Sequence, residues 1–156
     1  MMAAFRRIVM GLALMLVFSQ ICFGQKIATG SNCSFWICDD SIAMASGQNN
    51  SSQLTSLGIL RAEVPIFVAL DSVIAIDGGS SHTLALLADS TVWAWGGNGN
   101  GQLGLNDLIG RTIPTLIDSL PPIVAIAAGG DHSLALAKDG TVWCWGNNND
   151  RQAADT

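Results

Sequence analysis

The sequence predicts an all-β protein built from repeated antiparallel sheets, on three observations. Ser72–Gly96 (SVIAIDGGSSHTLALLADSTVWAWG) and Pro122–Gly146 (PIVAIAAGGDHSLALAKDGTVWCWG) match without a gap at a 50-residue spacing, carrying His82 onto His132, Trp93 onto Trp143 and Trp95 onto Trp145. Within each copy the apolar residues form short, β-branched runs separated by glycine pairs and turn residues, with no coiled-coil period. The apolar fraction of 49% is ample to offset the entropy of ordering a chain of one-domain length, 156 residues.

The chain opens with a segment that reads as an export signal. Arg6 and Arg7 form a positive start, Ile8–Phe18 an apolar stretch, and Gly24 a small residue before a cut at Gln25. Ser19 and Gln20 interrupt the apolar run, so a cleaved signal peptide over 1–24 is favoured over a membrane anchor. No membrane contact is then expected of the mature chain, which would be secreted or held in the periplasm or at the cell surface.

Lys26–Gly47 reads as a decayed copy at a spacing of 49, in which Ile27, Gly30, Asp40 and Gly47 meet Ile76, Gly79, Asp89 and Gly96. Gln53-Leu54 meets Gln102-Leu103, while Met44, Ser46 and Cys33 replace Trp93, Trp95 and His82. The expected organisation is therefore a signal over 1–24, a degenerate repeat over 25–71, a full repeat over 72–121 and an incomplete one over 122–156.

Each unit is read strand by strand. Val73–Ile76 and Ile123–Ile126 are continuous apolar runs that suit strands covered on both faces. His132–Ala137 is a second strand and Thr141–Trp145 a third. Asp139-Gly140 between them predicts a two-residue type I′ hairpin. That loop sets Trp143 opposite Leu136 and Trp145 opposite Leu134, with Ala135, Ala137, Val142 and Cys144 on the other face. After Gly96 the chain turns polar and glycine-rich. A fourth, outer strand is expected around Ile113-Pro114, where proline is tolerated only at an edge or a strand start.

The order of apolar strand, glycine, His-Ser/Thr-Leu-Ala-Leu, turn, Val-Trp-x-Trp-Gly and Gly-Gln-Leu-Gly resembles the repeat of the regulator of chromosome condensation family. The resemblance implies a β-propeller of four-stranded blades, seven to a ring. The fold expected here is a partial β-propeller, an arc of about three blades. Because each repeat buries its faces only against its neighbours, a short arc is expected to be the N-terminal part of a longer protein.

Removing residues 1–24 leaves 5 Lys and Arg against 12 Asp and Glu, a net charge of −7 that repels phosphate backbones and argues against nucleic-acid ligands. His82, Trp93, Trp95, Gly96, His132, Trp143, Trp145 and Gly146 stand at equivalent repeat positions, which reads as structural. Each imidazole is expected to tie its glycine turn to a backbone carbonyl, and each tryptophan to pack between sheets. No catalytic, metal-binding or cofactor-binding set can be assembled. Only two histidines exist, the cysteines Cys33, Cys38 and Cys144 lack ligand spacing, and Asp39-Asp40 reads as a turn. The cysteines read as small apolar residues with no disulfide evident from their spacing. Asn32, Asn49 and Asn50 head glycosylation acceptor triplets, relevant only to a host with an endoplasmic reticulum. The function expected is a non-enzymatic scaffold that binds another protein through its rim loops. Alternatives are an accessory module to a downstream catalytic domain or, as the family resemblance implies, guanine-nucleotide exchange with chromatin binding.

Overall fold

The computed structural model describes residues 26–38, 41–54 and 58–152, so the expected signal peptide and Asp39-Asp40 lie outside the described residues. No α-helix occurs among them, and they form eleven strands. The first sheet holds β1 (Lys26–Thr29), β2 (Cys33–Ile37), β3 (Ala43–Gln48) and β4 (Arg61–Phe67) in that spatial order. The second holds β5 (Val73–Gly78), β6 (His82–Leu87), β7 (Val92–Gly96) and β8 (Arg111–Leu116). The third holds β9 (Ile123–Ala128), β10 (His132–Ala137) and β11 (Val142–Gly146). All neighbours are antiparallel, as short connections between successive strands require.

The β10–β11 hairpin differs from the two-residue turn its sequence suggests. Ala137 N donates to Thr141 O at 2.8 Å and Gly140 N to Ala137 O at 3.0 Å, closing a three-residue loop, Lys138-Asp139-Gly140. Gly140 takes φ 92°. This is a type I turn followed by a left-handed bulge residue. The Asp139 carboxylate accepts the Thr141 N–H at 2.9 Å and fixes the loop from inside. β6–β7 closes identically, with Ser90 at φ 69° in the place of Gly140.

One extra loop residue moves every side chain to the opposite face. Trp143 therefore lies opposite Ala135, not Leu136, and Trp145 opposite Ser133, not Leu134. Trp93 and Trp95 likewise face Ala85 and Thr83. The result is a two-faced sheet. A rear face carries Ser/Thr, Ala and both tryptophans. A front face carries His82, Leu84, Leu86, Val92 and Ala94, or their equivalents.

These faces stack front to rear. Phe35, Ile37, Ala43 and Ala45 of the first sheet share one core with Val73, Ile76, Ala85 and Trp95 of the second. Leu84, Leu86, Val92 and Ala94 share the next core with Ile123, Ala135 and Ala137 of the third, Trp145 packing against its edge. Each fully buried leucine there contributes about 2 kcal/mol over its exposed state. The front face of the third sheet stays open, with Leu136 37% and Val142 61% exposed. Val73 and Ile76 of β5, between two sheets, are buried as expected, and Val124 of β9 is 49% exposed. Pro65 and Pro114 sit in the outer strands β4 and β8, each with an irregular register, as an edge position allows.

The cysteines divide. Cys33 and Cys144 are free, while Cys38, at the end of β2, is disulfide-bonded.

The loop glycines separate conformation from space. A Cβ at Gly140 meets nothing within 4 Å, so Gly140→Ala carries only the left-handed backbone cost, about 1 kcal/mol. Gly96, at φ 104°, would drive a Cβ into the Ser81 carbonyl and the backbone of His82. We expect Gly96→Ala to lower the urea midpoint well beyond Gly140→Ala, and Ser90→Gly to raise it slightly.

Candidate functional site

The most ordered polar constellation lies between the second and third sheets. Gln102 follows β7 in the turn Gly101-Gln102-Leu103-Gly104, and its backbone carbonyl accepts two donors from the third sheet. Ser133 Oγ donates at 2.7 Å and Trp145 Nε1 at 2.8 Å. His82 Nε2 lies 2.9 Å from Ser133 Oγ. Since the single Ser133 proton goes to Gln102, His82 must donate Nε2–H and keep an unprotonated Nδ1. That Nδ1 is buried without a partner.

The same arrangement recurs one sheet earlier with changed residues. Thr83 Oγ1 donates to the Gln53 carbonyl at 2.7 Å, but Trp95, fully buried, leaves its Nε1 without a partner, so only the hydroxyl half of the joint recurs. Cys33 stands in the histidine position, its thiol pushed up by burial and drawn partly back by backbone hydrogen bonds. The imidazole thus does not tie its turn to a carbonyl, as its sequence position suggested, but reaches the hydroxyl of the next sheet. The glutamines and the Ser/Thr positions were read as repeat positions, and their joining of adjacent sheets was missed. Their signal was present: Gln-Leu recurs at the repeat spacing, and position 83/133 alternates only between the two hydroxyl residues.

A serine hydroxyl against a histidine nitrogen has the outline of a nucleophile and base, but its setting does not support chemistry. Both residues are fully buried, and the hydroxyl proton is committed to Gln102. Among the described residues no group of three or more His, Cys, Asp or Glu side chains is placed to hold a metal ion.

The remaining sequence-singled residues occupy equivalent but separate places. Trp93 is half-buried and donates Nε1 to Thr91 Oγ1 at 3.2 Å, Trp143 is 41% exposed, and His132 lies half-buried on the open front face. Gly96 and Gly146 pass at positive φ against the carbonyls of Ser81 and Asp131. The structure therefore unites His82 and Trp145 in one cluster and leaves the others apart.

The second feature is a braced rim loop, residues 97–110. Asn98 is buried, with its Oδ1 accepting Leu103 N at 2.9 Å and its Nδ2 donating to Asp107 O at 2.8 Å and Ile109 O at 3.2 Å. Asn49 repeats this with Leu54 N and Ile59 O, both at 2.8 Å. Arg111 pairs with Asp107 at 2.6 Å, and this hydrogen bond holds the Asp107 carboxyl below its ordinary range. On this frame Leu108 and Ile109 stand 67% and 68% exposed. Asn49 is unsuited to carry a glycan, since its amide is buried and engaged, whereas Asn32 and Asn50 are exposed.

Comparison with known proteins bears on both features. A family model described as the Regulator of chromosome condensation (RCC1) repeat matches residues 89–136, and a second of the same description matches 73–102 and 123–152. The Ultraviolet-B receptor UVR8 of Arabidopsis thaliana is 40% identical over 48 residues, 31% of this chain and 11% of that protein. The E3 ubiquitin-protein ligase HERC2 of Homo sapiens is 32% identical over 102 residues, 61% of this chain and 2% of that protein. Yeast RCC1 (Prp20), solved bound to Kap60, superposes at TM-score 0.70 with 25% identity, covering 80% of this chain and 32% of that one. Human WBSCR16 superposes at 0.73 with 22% identity, covering 81% and 34%, a likeness of fold alone. The chain thus spans about a third of these solved structures and a small part of the curated relatives. The three stacked sheets are blades of a β-propeller.

Burial pushes the His82 imidazole down to about 4, Asp131 raising it and His132 lowering it further. The folded value lies below the usual 6.5, so the stability it supports is complete above that pH and is lost as pH falls through about 4. Thermal unfolding followed across this window should show the loss, and His82→Gln should flatten it. Ser133→Ala, which leaves the buried His82 Nε2–H without its acceptor, should cost about 1–3 kcal/mol by urea denaturation.

Proposed function

The chain belongs to the regulator of chromosome condensation (RCC1) repeat family, and on that premise we propose that it is an exported, non-enzymatic scaffold that binds another protein through its propeller rim. The observation that carries this reading is the loop 97–110. Two adjacent aliphatic side chains, Leu108 and Ile109, are held in water by a backbone fixed from below by Asn98, Asp107 and Arg111. Exposed apolar side chains on a rigid frame lose little entropy on binding, which is what a protein-docking hot spot requires. The blade interfaces offer no comparable site, because their side chains are buried.

The chemistry of the partner follows from charge. A mature chain of −7 disfavours nucleic acid and favours a protein surface with an apolar patch beside basic residues. Protein binding as the mode is supported by two structures of one neighbour, yeast RCC1 (Prp20): one is bound to Kap60, and the other is described with the binding properties of Prp20p to Gsp1p and histones. Export rests on Arg6, Arg7 and the apolar stretch that follows them, and it opposes a nuclear exchange role for this chain.

A second reading is favoured by the relative named as an E3 ubiquitin-protein ligase, in which the matched part is 2% of the whole. The propeller would then be a recognition module serving chemistry carried elsewhere in a longer protein. The two readings differ in whether binding suffices for activity.

Fractionation of tagged protein in its native host should place it outside the cytoplasm, with Gln25 as the mature N-terminus by terminal sequencing. Cytoplasmic or nuclear retention sinks the export reading. A partner captured from the native surface or medium should bind Leu108→Asp/Ile109→Asp at least about tenfold more weakly, with the melting temperature unchanged.

A further inference from the structure

Three acceptor triplets for an N-linked glycan lie in the first blade, and two of them overlap. Asn49-Asn50-Ser51 and Asn50-Ser51-Ser52 share one rim turn, while Asn32-Cys33-Ser34 stands apart. The motif alone does not choose between Asn49 and Asn50, since each has a serine two residues on. The fold puts the two side chains in opposite settings.

Asn49 is 4% exposed, and its amide is used within the fold. Its Oδ1 accepts Leu54 N and its Nδ2 donates to Ile59 O, both at 2.8 Å. It holds the place in the repeat that Asn98 holds in the second blade, where the same amide braces the loop. A sugar on Asn49 Nδ2 takes the space of the Ile59 carbonyl and breaks this brace.

Asn50 is exposed, in a turn that Ser52 N closes by donating to Asn49 O at 3.0 Å. The turn is held at its base. Ser51 N donates to Gln53 Oε1 at 2.9 Å, and Thr83 Oγ1 of the second blade donates to the Gln53 carbonyl at 2.7 Å. The equivalent turn of the second blade gauges the room above it. Gly99 stands where Asn50 stands, and a Cβ built there meets nothing within 4 Å. The two turns share a backbone, with Ser52 at φ 60° where Gly101 takes 76°. A bulky polar group on Asn50 therefore displaces no packed atom. The later blades lack the motif here: Asn98, Asn100, Asn147, Asn148 and Asn149 have no Ser or Thr two residues on.

We propose that this turn is a modification site: in a host that exports through an endoplasmic reticulum, the folded protein carries an N-linked glycan on Asn50 and none on Asn49. The donor is an oligosaccharide joined to a lipid through a diphosphate. Asn50 Nδ2 forms a bond to the anomeric carbon, and the bond from that carbon to the diphosphate oxygen breaks. The lipid diphosphate leaves with the electron pair, and Nδ2 gives up one proton. The sugar shields the rim of the first blade and leaves Leu108 and Ile109, on the rim of the second, bare for a partner. The proposal rests on the export half of the proposed function.

The test expresses the full chain in cultured mammalian cells, with and without a foreign cleavable signal ahead of Met1. Asn32→Gln is present throughout, so that the separate triplet is silent. Peptide N-glycosidase turns a glycosylated asparagine into aspartate. Peptide maps of the soluble lumenal or secreted protein should show that conversion at Asn50 and not at Asn49. Ser51→Ala keeps only the Asn50 triplet and should keep the glycan. Ser52→Gly keeps only the Asn49 triplet, at a φ that suits glycine, and its soluble protein should carry none. A glycan that forms only with the foreign signal supports the site and counts against export by residues 1–24. Soluble protein glycosylated at Asn49, or bare at Asn50 despite the foreign signal, overturns the proposal. Should either variant fail to fold, the map of the chain with an intact turn decides alone.

Discussion

The backbone carbonyl of Gln102 accepts both the Ser133 hydroxyl and the Trp145 indole across a blade boundary, and much of the molecule is arranged around this joint. A buried carbonyl has two lone pairs and a buried indole or hydroxyl needs an acceptor, so each component is costly alone and satisfied together. The joint also fixes geometry that apolar packing leaves loose. Leucines against alanines tolerate sliding, whereas two hydrogen bonds to one oxygen define a single relative placement of two sheets. The turn that offers the carbonyl is in turn held by Asn98, whose own amide reaches into loop 97–110. The exposed Leu108 and Ile109 are therefore rigid for the same reason that the blades are aligned.

This coupling explains which parts of the structure were legible in the sequence. The repeat spacing, the strands and the outer edge marked by Pro114 follow from local pattern, because glycine pairs and β-branched runs act over a few residues. The hairpin loop did not, since Asp139-Gly140 suits either a two-residue type I′ turn or the last two positions of a bulged three-residue loop. Blade 2 carries the discriminating clue. Asp89-Ser90 fills the equivalent place, and serine needs only one left-handed position there, whereas a type I′ turn needs two. Missing that residue inverted the faces, placing the tryptophans beside leucines and hiding the contrast between front and rear.

The polar joint was illegible for a different reason. Gln102, Ser133 and Trp145 meet across a boundary that no spacing rule within one blade describes, and the accepting group is a backbone oxygen whose side chain carries no signal of it. The histidines drew attention because they are rare and titratable. Their role is subordinate: His82 completes the hydrogen bonding of a hydroxyl that already has its acceptor. That hierarchy is visible in the first interface, where Cys33 replaces the histidine and the bond from Thr83 to the Gln53 carbonyl is kept.

Replaceable histidine and retained hydroxyl together indicate how such an array tolerates sequence decay. The first blade has lost both tryptophans of its rear face while its front face stays fully apolar, with Phe35 1% and Ile37 5% exposed against the second blade. A face that must bury against the next blade retains its volume, because a cavity there costs about 2–5 kcal/mol per large side chain removed. Variation along the chain therefore tracks which surfaces are obliged to pack, and the rims are where new binding properties can arise at least structural cost.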